Sequence, residues 1–156
     1  EVSEVHMNEC EVCELKDGVV YWNLRSYRGK NLRAVAYSHD NGDNFGEFKN
    51  DSALVEPVCQ ASVLRYDFGE KCEENIVLFS NPASTTRDHM TIKASFDGAR
   101  TWERKWLLHE GPSAYSDLAY NDEGEVCCLY ERGEDSPYET ITFEKFSWED
   151  FMSKSE

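Results

Sequence analysis

The feature that most constrains this chain is a turn motif that occurs twice. Ser38–Phe45 and Ser95–Trp102 share the frame Ser-x-Asp-x-small-x-x-aromatic. In this frame the Ser ends a strand, the Asp accepts hydrogen bonds from turn amides, and the small residue permits a positive φ. The aromatic side chain then closes the base of the hairpin. A turn motif that recurs once per group of short strands is typical of β-propellers, whose blades take about 40–50 residues each.

Short apolar stretches of high β propensity, separated by turn residues, fill the rest of the chain. Hairpin-turn pairs lie at Asp17-Gly18, Asn41-Gly42, Asp97-Gly98 and Glu123-Gly124. The predicted strands are Cys10–Leu15, Val19–Arg25, Leu32–Ser38, Cys59–Tyr66, Asn75–Ser80, Met90–Ser95, Glu103–His109, Tyr115–Tyr120, Glu125–Glu131 and Thr140–Phe146. A single short helix is predicted over Ser147–Lys154, with Ser147 as its N-cap and Glu149 behind it.

These patterns predict an all-β fold built from about three blades of four-stranded antiparallel sheet. A closed propeller needs at least four blades, so the chain is expected to form part of a ring. We expect residues 1–156 to be one unit, because the chain has the length of a single domain. It begins at Glu1 rather than Met, which suggests a fragment or a processed piece.

The composition excludes several classes of protein. Lys and Arg number 16 against 31 Asp and Glu, which gives a formal charge of −15. Such an excess of acid disfavours binding to nucleic acid and to anionic membranes, because both depend on clustered basic side chains. A hydrophobic fraction of 40% is enough for a core and disfavours general disorder. No apolar run approaches the roughly 20 residues of a membrane span, and no signal peptide is visible.

Cysteines and one sequon bear on metal binding and compartment. The six cysteines occupy positions 10, 13, 59, 72, 127 and 128. Cys10 and Cys13 have the spacing of a zinc knuckle, but no second pair accompanies them, so buried free thiols are favoured and no metal is predicted. Asn50-Asp51-Ser52 is a glycosylation sequon, which favours a secretory or lysosomal route.

Polar residues at the predicted strand ends are the candidates for chemistry. Glu9 stands at the head of the first strand and Arg25 at the end of the second. Arg87 and Tyr115 each come just before or at the start of a strand, and Glu131 ends another. Taken one at a time, the four charged residues are equally compatible with ordinary solvated surface positions, and Tyr115 is equally compatible with a place in the core. Because one end of every propeller blade points toward the central funnel, residues far apart in sequence can converge there.

The same segments resemble the C-terminal half of the catalytic domain of an exo-α-sialidase (neuraminidase) of the animal and bacterial type. The matching segments are Asn8–Val12, Asn23–Ser26, Glu56–Ser62, Phe79–Ala83 followed by Arg87, Ser95–Trp102, Gly111–Leu118 and Leu129–Glu131. They cover nearly the whole chain in the family's order, and the two turn motifs look like its Asp boxes (BNR repeats). The resemblance implies a partial six-bladed β-propeller, sialylated glycans as substrates, and no cofactor.

The resemblance also implies a role for each candidate residue. Sialic acid carries a carboxylate on its anomeric carbon, so a carboxylate nucleophile would be repelled, and sialidases use a Tyr instead. Tyr115 would be that nucleophile and Glu9 would take its proton, since a phenol needs a base at working pH. Arg25 and Arg87 would be two of three guanidinium groups that hold the substrate carboxylate. Glu131 would hold the third arginine in place.

Two components of the family's machinery are not found in this chain. The third arginine and an acid/base Asp lie upstream in the family, and the residues before Glu9 include neither type. We therefore expect the isolated chain to be inactive and to need a missing N-terminal half of the same propeller. The alternative function is that of a non-catalytic Asp-box segment that binds glycans or proteins. Glycoproteins, oligosaccharides and gangliosides are the expected substrates; a lysosomal or secreted location is favoured, and cytosolic and membrane-associated locations also fit the family.

Overall fold

The computed structural model describes residues 6–156, apart from the side chains of residues 72 and 73. The thiol of Cys72 therefore lies outside the described residues. The strands are β1 Met7–Glu14, β2 Val20–Ser26, β3 Leu32–Ser38, β4 Lys49–Val55, β5 Ser62–Arg65, β6 Val77–Pro82, β7 Asp88–Ser95, β8 Arg104–Tyr120, β9 Val126–Arg132 and β10 Thr140–Phe146. A 3₁₀-helix covers Gly69–Glu73, and α1 covers Trp148–Lys154.

The strands form three antiparallel blades. β1 to β4 pair in order as the first blade, and β5, β6, β7 and the first part of β8 form the second. The second part of β8 pairs with β9, and β9 pairs with β10, which gives a three-stranded third blade. The first strands of the three blades are neighbours, because β1 contacts β5 and β5 contacts β8. This order of first strands belongs to the centre of a propeller, and it confirms the predicted all-β, partial-propeller fold.

Two apolar clusters separate the blades: the first lies between the first and second blades, and the second lies between the second and third blades. β6 is buried along its whole length, and its side chains alternate between the two clusters, as expected for a strand. Val77 and Phe79 pack against the first blade together with Leu54, whereas Leu78 packs toward the third blade with Val126. The second blade is therefore covered by apolar side chains on both faces, and its burial fixes the angle between the outer blades.

The strand predictions were wrong at three places. The structure joins two predicted strands, Glu103–His109 and Tyr115–Tyr120, into the single strand β8, which starts at Arg104. The strand can continue through Pro112 because β8 changes its partner there from β7 to β9, so the missing N–H of the proline does not interrupt a ladder. β4 was not predicted, since its sequence Lys49–Val55 is mostly polar, as suits the edge strand of its blade. The strand predicted over Cys59–Tyr66 starts only at Ser62, and the residues before it form a connector.

The two turn motifs adopt the same hydrogen-bonded turn. In the second copy, Asp97 Oδ1 accepts from the backbone N–H of Thr101 at 2.9 Å, and Ser95 Oγ accepts from that of Ala99 at 2.9 Å. In the first copy, Asp40 Oδ1 accepts from the N–H of Asn44 at 2.9 Å. The small residue has the positive φ that the motif requires, since Ala99 has φ 62°.

The C-terminal helix begins as predicted, with one difference in its cap. The hydroxyl of Ser147 accepts from the backbone N–H of Asp150 at 3.0 Å, and the Asp150 side chain bonds back to Ser147. The capping partner is therefore Asp150 and not Glu149, because the third residue of the first turn is the one that reaches back to the cap. Phe151 is fully buried and attaches the helix to the second cluster.

Candidate active site

Irregularities in the strand ladders surround the candidate residues. The β1–β2 register shifts between Asn8 and Cys10, and Glu9, which lies within that shift, has a positive φ of 34°. The β8–β9 register shifts between Ser113 and Ser116, on either side of Tyr115. Such bulges commonly turn a side chain out of the regular pleat beside a functional site. These irregularities turn the side chains of Glu9 and Tyr115 out of the regular pleat and toward each other.

Glu9 binds both Tyr115 and Arg25, which are far from it in sequence. The hydroxyl of Tyr115 donates a hydrogen bond to Oε1 of Glu9. Nη1 of Arg25 donates to the other carboxylate oxygen, Oε2, and lies 3.4 Å from the Tyr115 hydroxyl oxygen. A phenol, a carboxylate and a guanidinium thus form one contiguous group. Its members come from the first strands of two blades and from β2.

The contacts of Glu9 shift the pKa values of the pair in opposite directions. The hydrogen bond to Glu9 raises the pKa of Tyr115, and loss of solvent adds to this effect. Burial by itself would raise the pKa of Glu9, but the hydrogen bonds from Tyr115 and Arg25 outweigh it and hold this pKa below its ordinary value. With no ligand bound, the proton therefore stays on the phenol and Glu9 is ionised at neutral pH.

Arg87 lies on the other side of Tyr115. Its guanidinium carbon is 5.8 Å from the centroid of the Tyr115 ring and 5.9 Å from that of Tyr138. Its Nη1 donates a hydrogen bond to the Tyr138 hydroxyl, and its Nη2 is 3.5 Å from the carbonyl oxygen of Val58. Two guanidinium groups thus lie beside the same phenol, and together they present an arrangement suited to binding an anionic group.

Arg25 retains an unused donor. Its guanidinium lies over the ring of Tyr27, 4.8 Å from the centroid, and its side chain is 12% exposed. Nε of Arg25 is buried and makes no hydrogen bond within residues 6–156. A buried donor without a partner is rare in folded proteins, and it marks this guanidinium as ready for an acceptor.

Glu131 supports the backbone of Tyr115. Its Oε2 accepts a hydrogen bond of 3.1 Å from the backbone N–H of Tyr115, within the bulge where the regular ladder is interrupted. Glu131 also lines a cavity of about 310 Å³ together with Gln60, Leu129 and Ile141. The structure therefore brings the other four candidate residues from the sequence around Tyr115.

Sequence reasoning missed the two tyrosines that accompany the arginines. Tyr27 and Tyr138 are 47% and 61% exposed, and an exposed tyrosine in a polar segment looks like ordinary surface. Tyr27 follows Arg25 by two residues, and this spacing is the only sequence signal for it. Tyr138 comes from the loop between β9 and β10, and nothing local links it to Arg87.

The cysteines do not favour the zinc alternative. Cys10 is exposed and Cys13 is half-buried, so the two side chains lie on opposite faces of β1. Among the residues that the structure describes, no three His, Cys, Asp or Glu side chains come together as metal ligands.

Asn50 of the sequon is exposed on β4. The described part of the chain contains no helix with the length and apolarity of a membrane span.

Comparison with known proteins identifies the family of this chain. The family model of the BNR repeat-like domain matches residues 2–128. A sialidase of Bacteroides fragilis (strain YCH46) is 37% identical over 139 residues, which are 83% of this chain and 25% of that protein. Sialidase-3 of Homo sapiens is 29% identical over 187 residues, with 93% of this chain and 43% of that protein covered. The chain thus spans less than half the length of these relatives.

Solved structures give the same result. The Hadza microbial sialidase Hz136 superposes with a TM-score of 0.79 at 36% identity, over 94% of this chain and 28% of that one. The NanB sialidase from Streptococcus pneumoniae, at 18% identity, shares the fold with a TM-score of 0.79 over 92% of this chain and 24% of its own. The chain therefore belongs to the BNR repeat-like domain family, and the named relatives that cover most of it are sialidases.

Proposed function

We propose that this chain carries part of the active site of an exo-α-sialidase, which releases terminal sialic acid from glycoproteins, oligosaccharides or gangliosides. The observation that carries the proposal is the hydrogen bond between the Tyr115 hydroxyl and Glu9, with Arg25 bound to the same carboxylate. A protein that only bound glycans would have no need of a phenol paired with a base. The sialidases among its relatives support the same reaction class.

In the proposed reaction, Arg25 and Arg87 hold the carboxylate of sialic acid beside Tyr115. The phenol oxygen attacks the anomeric carbon and forms a C–O bond, while its proton passes to Glu9 and the bond to the leaving sugar breaks. The leaving oxygen takes a proton from a general acid. Water then attacks the same carbon and gives its proton to the deprotonated general acid, the phenol oxygen leaves and recovers its proton from Glu9, and the sialic acid is released with its configuration retained.

A neutral nucleophile suits both the substrate and the pair. A carboxylate in place of the Tyr115 phenol would be repelled by the substrate carboxylate that is attached to the anomeric carbon. The neutral phenol is not repelled. Because the pKa of Tyr115 is raised and that of Glu9 is lowered, a free phenolate is unfavourable in this pair. Proton transfer to Glu9 therefore accompanies the attack on carbon and does not precede it.

We propose that the general acid and a third arginine come from further blades of the same propeller. The outer face of the third blade supports this, because Leu129, Ile141 and Phe143 are 44%, 70% and 61% exposed on it. Phe143 pairs with Leu129 across β10 and β9, and Ile141 lies two residues from Phe143 on the same face of β10. The three side chains therefore form a contiguous apolar strip. Glu131 is on the same face and would meet the third arginine there.

Turnover of a fluorogenic sialoside by the full-length protein tests the proposal. Tyr115→Phe keeps the ring and removes the nucleophilic oxygen, so we expect hydrolysis to be abolished and capture of sialic acid, measured by calorimetry, to persist. The isolated 156-residue chain should show no turnover, because a missing general acid alone costs about 10²–10⁴ in rate. Turnover that survives Tyr115→Phe would contradict the nucleophile. A full-length protein that binds sialosides without turnover would support the binding alternative.

A further inference from the structure

The connector between the first and second blades bonds to two strands of the site, β2 and β8, and contacts Arg87, which precedes β7. It comprises residues 56–61, between the end of β4 and the start of β5. One of its residues bonds beside Arg25, another contacts Arg87, and a third bonds beside Tyr115. None of the side chains of this connector belongs to the phenol–carboxylate group itself.

Glu56 fixes the strand end that carries Arg25. Its side chain is fully buried, and its Oε1 accepts a hydrogen bond of 2.8 Å from the backbone N–H of Ser26, the residue after Arg25. Its Oε2 accepts from Nη1 of Arg33 at 2.9 Å and from the N–H of Cys59 at 3.3 Å. One carboxylate thus ties the end of β2 to the far side of the connector.

Arg33 completes this buried ion pair. Its side chain is fully buried, and besides Glu56 it donates to the carbonyl oxygen of Cys59 at 2.7 Å and to Oδ1 of Asn23 at 2.6 Å. A buried ion pair is commonly no more stabilising than apolar side chains of the same volume. Its directional bonds to β2 and to the connector provide what apolar packing cannot, namely a fixed relative position of two backbone segments.

Val58 gives the connector a conformation that the surroundings must enforce. Its φ is 55°, in the left-handed region that a β-branched residue rarely adopts. The carbonyl oxygen of Val58 lies 3.5 Å from Nη2 of Arg87. The bonds of Glu56 and Arg33 to Cys59 hold the backbone immediately after Val58, so they maintain the strained turn that presents this carbonyl.

Gln60 bonds to the strand of Tyr115. Its Oε1 accepts from the backbone N–H of Ser116 at 3.0 Å, and its Nε2 donates to the carbonyl oxygen of Ser116 at 2.9 Å. The amide therefore replaces a strand partner at the residue after Tyr115, at the end of the bulge in the β8–β9 ladder. These two bonds fix the residue that determines where the Tyr115 ring points.

We infer that this connector positions the site: Glu56, held by Arg33, sets Arg25 and Arg87, and Gln60 sets Tyr115. The inference rests on the proposed sialidase function and adds three positioning residues to it. None of the three contacts the reacting atoms. They act by holding Ser26 and Ser116, which follow Arg25 and Tyr115 in the chain, and Cys59, which follows the Val58 carbonyl beside Arg87.

The test compares steady-state kinetics of two near-isosteric variants of the full-length protein. Glu56→Gln places an amide against Arg33 and loses a charge-assisted bond, so we expect a higher KM as the arginines move. Gln60→Met keeps the volume and removes both bonds to Ser116, so we expect a lower kcat with a smaller change in KM. We expect kcat/KM to fall by about 10- to 100-fold in each, since about 1 Å of misplacement costs on the order of 10²-fold.

Ile76→Val is the matched control. Ile76 is fully buried in the second apolar cluster, so its truncation lowers the thermal unfolding midpoint without touching the connector. The control should leave KM and kcat at wild-type values even where its unfolding midpoint falls as far as that of the variants. If Glu56→Gln does not fold, Gln60→Met carries the test alone.

The outcomes separate this inference from the function on which it rests. An active wild-type protein whose folded variants keep KM and kcat within twofold of wild type would overturn the positioning role and leave the sialidase proposal standing. Equal losses in the variants and in Ile76→Val would also overturn it, because general destabilisation would then explain them. A wild-type protein without turnover would contradict both.

Discussion

Among single residues, the position of one proton decides whether the proposed reaction can begin. Tyr115 keeps its proton because a carboxylate accepts its hydrogen bond, and that carboxylate is stabilised as an anion by Arg25. The pair is therefore inert in the absence of substrate. A substrate carboxylate that engages Arg25 would weaken its hold on Glu9, and the basicity of Glu9 would rise at the moment when the proton must move.

The ionisation of Glu9 predicts the acidic limb of the pH profile. Glu9 accepts a proton only as a carboxylate, and its pKa lies below the ordinary value of 4.5, so kcat/KM should fall only as the pH drops below that value. Glu9→Gln should remove this limb and lower kcat by about 10²–10⁴. The measurement is kcat/KM of the full-length protein against pH.

The control for this profile is Glu14→Gln, which changes an exposed carboxylate on the same strand. It should leave both the limb and kcat unchanged. An acidic limb that persists in Glu9→Gln would show that another group governs it.

The sequence indicated candidates for the chemistry but not the residues that we propose to position them. Glu9, Arg25, Arg87, Tyr115 and Glu131 are recognisable because their types and order match a reaction, although their roles stay predictions. The buried partners Arg33 and Glu56 and the amide of Gln60 could not be assigned in this way. A buried charge and a solvated charge look the same in a sequence until the fold supplies the partner.

At the scale of elements, the Asp boxes are devices of stability. Asp97 accepts hydrogen bonds from the backbone N–H groups of Arg100 and Thr101 and from the Thr101 hydroxyl. We expect Asp97→Ala to destabilise the protein by about 1–2 kcal/mol, since several bonds to one partly exposed group are lost together. Thermal unfolding of the full-length protein measures this effect, and Asp17→Ala is the control because, among the described residues, Asp17 accepts only a weak bond of 3.4 Å from the backbone N–H of Val19.

The same Asp gives this effect a pH dependence. Burial alone would raise the pKa of Asp97, but the hydrogen bonds from Thr101, Ser95 and Arg100 outweigh it and lower this pKa. A depressed pKa in the folded state contributes stability above the unfolded pKa and loses it as the pH falls through the folded one. The difference in the free energy of unfolding between wild type and Asp97→Ala should therefore become smaller at acidic pH. A difference that becomes larger at acidic pH would contradict the role of Asp97 as an ionised acceptor.

Element boundaries show how far local patterns reach. Turn chemistry predicted the hairpins, because the residues that form them act within a few positions. The continuity of β8 across Pro112 and the existence of the polar strand β4 depend on pairing partners elsewhere in the chain. Such long-range pairing leaves no local signal, so these elements were the ones that sequence reasoning misjudged.

At the scale of the whole molecule, the site exists because blades fan from neighbouring first strands. Glu9 and Tyr115 are 106 residues apart and meet because β1 and β8 both lie beside β5. Sequence could predict this meeting only through the repeat and the family resemblance. The apolar strip of Leu129, Ile141 and Phe143 could not be predicted as exposed, since apolar residues in alternating strands are expected to be covered.

Covalent trapping shows directly whether the Tyr115 oxygen attacks the anomeric carbon. A sialosyl fluoride with a second fluorine at C3 reacts by losing the anomeric fluoride, and the remaining fluorine slows hydrolysis of the intermediate. After incubation with the full-length protein, peptide mass spectrometry should locate the added sugar on Tyr115, and Tyr115→Phe should abolish the label. A label on Glu9 or Glu131, or steady turnover with no covalent species, would contradict the account.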